Sequence, residues 1–68
     1  MKRRKSKNSK LLVTVGEAAA LLSLGRSLTY QLIMAGQIRS ILIGRARRVP
    51  VASLADFVSE QLEAQVDA

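Results

Sequence analysis

Between Thr14 and Leu22 the apolar residues Val15, Ala18, Ala19 and Leu22 recur at i, i+3, i+4 and i+7, the spacing that lines one face of a helix. Thr14-Val15-Gly16-Glu17 opens this run as a capping box, in which the Thr14 hydroxyl accepts from a first-turn amide while Glu17 reaches back to the Thr14 amide. The pattern breaks at Ser23-Leu24-Gly25-Arg26, where a small residue, an apolar plug and a glycine predict a tight turn. It resumes in a second helix. Thr29, Leu32, Ile33 and Gly36 share its inner side, and Ser27, Tyr30, Gln31 and Met34 its outer side. Gly36 is a natural stop.

After Ile38 the period shortens. Ile41 and Ile43 alternate with Ser40 and Leu42 as in a half-buried strand. Gly44-Arg45-Ala46 predicts a turn, and Arg47-Arg48-Val49 a short returning strand ended by Pro50, with Ile43 and Val49 expected toward the core and Leu42 outward. Leu54, Phe57, Val58 and, at the flank, Leu62 mark a third helix whose far side carries Asp56, Glu60 and Glu63 as a solvated face. Residues 1–10 hold six bases and no aromatic or β-branched residue, which predicts a disordered basic arm. Residues 11–63 then form one folded domain, and 64–68 a frayed tail. The fold class is mainly α with a small β-hairpin: a helix-turn-helix, a two-stranded wing and a supporting C-terminal helix.

Sixty-eight residues leave room for one small domain. The chain has no Cys and no His, so it lacks thiolate zinc ligands, disulfides and the commonest general base. Its five carboxylates show no catalytic or ligand spacing, and neither enzyme chemistry, nor a metal, nor a cofactor is expected. Charge adds a direction. Residues 1–50 hold all eleven bases and one acid, a net of +10, whereas residues 51–68 hold four acids and no base, a net of −4. A field this one-sided suits a row of phosphates, in nucleic acid or on an anionic membrane surface; a merely soluble basic protein is the bland alternative. No apolar run approaches the roughly 20 residues of a membrane span. Gly16 and Glu17 interrupt the imitation of a secretory leader at Leu11-Leu12-Val13, so a cytoplasmic protein is expected.

Two helices, a basic hairpin and a bracing helix suit duplex DNA, with the second helix in the major groove. Arg26, in its first turn, is expected at a phosphate or a guanine edge, and Ser27, Tyr30 and Gln31 at bases or backbone. For Tyr30 the alternative is a ring packed across the domain edge, and for Ser27 and Gln31 ordinary solvation. Arg45, Arg47 and Arg48 are expected at the sugar-phosphate backbone or an adjacent minor groove, with Arg47 also able to cross the domain to Glu17. Lys2, Arg3, Arg4, Lys5, Lys7 and Lys10, together with Thr14, complete the phosphate contacts, unless the arm is only a solvated tail. A single aromatic on the reading face argues against a base-stacking RNA module.

From Leu12 to about Leu62 the chain resembles the small excisionase-type DNA-binding domains related to the MerR winged-helix superfamily. The resemblance rests on Thr14-Val15-x-Glu17-Ala18-Ala19, Arg26-Ser27-x-x-Tyr30-x-Leu32-Ile33-x-x-Gly36, Ile43-Gly44-Arg45 with Arg48-Val49-Pro50, and Leu54-x-x-Phe57, four pieces in order. The chain departs from that pattern in having Gly25 for a Ser or Thr cap, Leu28-Thr29 for a Thr followed by an apolar residue, Gln31 and Met34 for frequent bases, and Ala46-Arg47 for a basic-aromatic pair. The resemblance implies a recombination directionality factor that catalyses nothing. Such a protein binds and bends attachment-site DNA, often in several copies, and assists the integrase of a phage or mobile element. A small transcriptional regulator uses the same module. The resemblance also implies contacts between neighbouring copies on DNA, for which Leu42 and Leu28 are the expected residues.

Overall fold

The computed structural model describes residues 10–66, in the order β1 (Leu12–Val13), α1 (Val15–Leu22), α2 (Arg26–Met34), β2 (Ile41–Ile43), β3 (Ala46–Pro50) and α3 (Val51–Val66). Helix α1 starts where the capping box requires. The Glu17 amide donates to Thr14 Oγ1 at 3.0 Å, and the Thr14 amide donates to Glu17 Oε1 at 2.9 Å. It ends at Ser23, whose left-handed backbone (φ 59°) lets the Leu24 amide reach back to the Ala19 carbonyl at 2.9 Å. Gly25 then caps α2 without a side-chain hydrogen bond. Helix α2 closes the same way as α1: Gly36 adopts φ 81°, the Gln37 amide bonds the Leu32 carbonyl at 2.9 Å, and the chain leaves with Ile38 turned into the core.

The sheet has three strands in the order β1-β3-β2, all antiparallel. Strand β1 has no counterpart in the sequence reading, because two residues carry no period. Tertiary pairing alone defines it: Val13 lies opposite Val49 and Leu12 opposite Pro50, and the Val51 amide donates to the Leu11 carbonyl at 2.9 Å.

Val13, Ala18, Ile33, Ile38, Val49, Leu54 and Phe57 form the core, with Val15, Leu22, Leu32 and Val51 packed partly buried around them. Of the inner side expected for α2, Thr29 and Ile33 are buried and Leu32 is half-buried, whereas Gly36 lies past the end of the helix and is exposed; Thr29 donates its hydroxyl hydrogen to the Gly25 carbonyl at 2.9 Å.

The predicted orientation of β2 needs correction. A two-residue turn, Gly44-Arg45, places Ile43 opposite Ala46, Leu42 opposite Arg47 and Ile41 opposite Arg48. Directly opposed residues share a face of the sheet, so Ile43 lies with Ala46 and Arg48, while Val49 lies on the other face with Arg47 and Leu42. Ile43 is accordingly 55% exposed rather than turned inward, and Ile41 is exposed beside it. Leu42 is exposed as expected, at 58%, although it lies on the face that Val49 shares, on the edge strand.

In α3 only Ser53, Leu54 and Phe57 are buried. Val58 and Leu62, expected along the core stripe, are exposed, Leu62 by 65%, because among the described residues no other element covers the second half of this 16-residue helix. The helix continues through Val66.

Candidate nucleic-acid interface

The outer side of α2 is open along its length: Ser27, Tyr30, Gln31 and Met34 are all exposed, Tyr30 by 48%. Inward pinning by Thr29 and Ile33 fixes which side this is, since both sit on the opposite stripe and are buried. Gly25 offers no capping oxygen, so the first-turn amides of α2 remain donors for an outside acceptor, and the helix dipole favours an anion there. Arg26 leaves this first turn and lays its guanidinium against the start of α1. Together with Val15, Gly16, Ser27 and Tyr30 it lines a shallow notch at the junction of the two helices.

The wing carries its arginines in three different states. Arg45 is exposed in the turn after Gly44, whose φ of 62° is the only positive φ of the two turn residues. A positive φ at the first of two turn residues suits a hairpin whose strands twist in the right-handed sense. Arg47 is held half-buried by donating from Nη1 to Ser40 Oγ at 2.7 Å. Arg48, also half-buried, donates from Nη1 to the Arg47 carbonyl at 2.9 Å.

The crossing of Arg47 to Glu17 does not occur. Glu17 is already occupied: Lys10 Nζ donates to its Oε2 at 2.7 Å, and its other oxygen closes the capping box. The Lys10 hydrogen bond is the largest cause holding the Glu17 carboxyl below its ordinary pKa, with the Thr14 amide next. Lys10 is therefore engaged on α1, and the Thr14 hydroxyl accepts from a helix amide while keeping its own hydrogen. Lys2, Arg3, Arg4, Lys5 and Lys7 lie outside the described residues.

Two residues near the wing escaped the sequence reading. Ser40 appeared there only as a polar strand position, yet its hydroxyl decides where Arg47 lies. Arg39 stands exposed between α2 and β2, in a cleft with Asp56 and Glu60, and adds a base beside the wing that no motif marked. The acids Asp56, Glu60 and Glu63 are exposed along α3. Among the described residues no helix is long and apolar enough to cross a membrane.

An amphipathic helix pair joined by a tight turn, a basic hairpin wing and a bracing third helix define a winged helix-turn-helix DNA-binding domain. Residues 12–62 match the family described as "Helix-turn-helix domain". The chain is 47% identical over 51 residues to an excisionase of Streptomyces ambofaciens, a match spanning 75% of this chain and 82% of that protein. It is 42% identical over 57 residues to a probable excisionase of Saccharopolyspora erythraea, spanning 84% of this chain and 58% of that longer protein. The chain belongs to the helix-turn-helix family, among its excisionases. No solved structure matches it.

Proposed function

We propose that this protein is a recombination directionality factor: it binds attachment-site DNA through α2 and the wing, bends it, and helps an integrase to excise a phage or mobile element, catalysing nothing itself. The observation that carries this reading is the 47% identity to an excisionase over 75% of this chain, in a domain whose residues 12–62 match a helix-turn-helix family and contain α2 and the whole wing. In this reading Arg26, Ser27, Tyr30 and Gln31 meet the major groove, and Arg45, Arg47 and Arg48 follow the adjacent backbone or minor groove. Lys10, Thr14 and the bases of residues 1–9 add phosphate contacts. The protein works in the cytoplasm, where the DNA is.

Bending a site by 40–90° costs on the order of 1–6 kcal/mol, which one small module recovers poorly and several adjacent copies recover together. Exposed Leu42 on the wing and Leu28 on α2 are the apolar residues such neighbours would cover.

Footprinting on the element's attachment sites, with and without its integrase, tests the proposal. Protection inside an attachment site, accompanied by integrase-dependent excision that requires this protein, is the expected result. Protection confined to a promoter, with excision unaffected, would replace it with a transcriptional regulator.

A further inference from the structure

Gly16 occupies the second position of α1, where its backbone adopts no positive φ and a glycine is therefore not required by conformation. Alanine is the better helix former there. What sets the position apart is the space in front of it. A β-carbon on Gly16 would stand 2.8 Å from Arg26 Nη2, 3.1 Å from Nε and 3.3 Å from Cζ. The Nε–Nη2 edge of the guanidinium thus occupies the ground that a side chain would fill, against the first turn of α1 and beside Ser27 and Tyr30 in the same notch. The obstructing atoms are the end of a flexible side chain, so an added methyl moves the guanidinium and leaves the backbone where it is.

We infer that Gly16 is a positioning residue for DNA recognition: by lacking a side chain it seats the Arg26 guanidinium in the notch between α1 and α2, next to Ser27 and Tyr30. A guanidinium seated by its edge in this notch keeps its planar fork of donors in one orientation, and this conserves the ordering entropy that a free arginine loses on binding. The inference rests on the proposal that Arg26 contacts DNA.

Gly16→Ala, Arg26→Ala and the double variant, measured by thermal unfolding and by affinity for one duplex site, form the test. Gly16→Ala should raise the thermal midpoint by about 2–5 °C, as a helix-favouring change does. It should at the same time weaken DNA binding about threefold to tenfold, the loss of one well-placed charged contact. In the Arg26→Ala background the same change should leave affinity as it was. If Arg26→Ala binds as the parent does, the reading of Arg26 fails and the inference falls with it. If Arg26→Ala weakens binding but Gly16→Ala does not, the inference alone is wrong. Equal weakening by Gly16→Ala in both backgrounds would also overturn it, because the methyl would then obstruct DNA without acting through Arg26.

Discussion

Strands β2 and β3 face each other across one hairpin and invert what their compositions suggest. β2 reads Ile-Leu-Ile and is exposed at every position, whereas β3 reads Ala-Arg-Arg-Val-Pro, has no exposed residue and contains Val49, which is completely buried. The difference lies in their places in the sheet. β3 is central, bonded to β1 on one side and β2 on the other, and its Val49 abuts Val13, whereas among the described residues β2 is an edge with no strand beyond it. Burial here follows position in the sheet and leaves hydropathy second. The arrangement also divides labour: β3 anchors the wing in the core, and β2 with its turn carries residues outward.

The largest effect should come from removing the charges that this hairpin presents. Arg45, Arg47 and Arg48 replaced together by Ala should weaken binding to every duplex by about 3 kcal/mol and lower the salt slope by up to about 3, near 1 per lost phosphate contact. A salt titration of the mobility shift reads this out, and an unchanged slope would mean that the wing stays off the DNA. Val49→Ala, at the buried centre of β3, should cost about 2–3 kcal/mol of folding stability through lost burial and the cavity left behind. Urea unfolding that shows less than about 0.5 kcal/mol would remove the distinction between central and edge strand.

A smaller effect is expected at the helix start beside β1. Thr14→Ala should cost about 1 kcal/mol by removing the acceptor for the Glu17 amide. The partner of that bond gives the molecule a pH dependence. Because the Glu17 carboxyl is held below its ordinary value, first by Lys10 and then by the Thr14 amide, its contribution is complete above the ordinary carboxylate range. It is lost as pH falls through the lowered folded value. Acid unfolding followed by circular dichroism should show a decline in that window that Glu17→Gln lacks. The smallest effect on folding belongs to the edge strand: Leu42→Ser should change stability by less than about 0.5 kcal/mol and leave single-site affinity intact, while reducing cooperativity on tandem sites. Unaltered cooperativity would mean that the exposed edge does not join neighbouring copies.

Much of the architecture was legible locally. Thr14 and Glu17 announced α1, Gly36 ended α2 in the φ that only glycine adopts readily, and the inner stripe of Thr29, Leu32 and Ile33 separated buried from open faces. Each of these depends on residues within one or two turns of each other. The candidate interface was legible to the same depth: Ser27, Tyr30 and Gln31 are outward because the helix period makes them so. Arg47 was not legible, since its place depends on the Ser40 hydroxyl seven residues away and on Glu17 being occupied by Lys10.

By itself the sequence determined the helices, their caps, the turn between them and the segregation of charge, because periods and caps act over a few residues and charge is additive. Only the tertiary structure decided that Leu12–Val13 is a strand, that Ile43 does not join Val49 in the core, that Val58 and Leu62 stay outside it, and that Arg26 rests on Gly16. Each of those outcomes turns on strand register or on which neighbour arrives, and a shift of one residue in register exchanges the two faces of a strand without changing a single letter of the pattern.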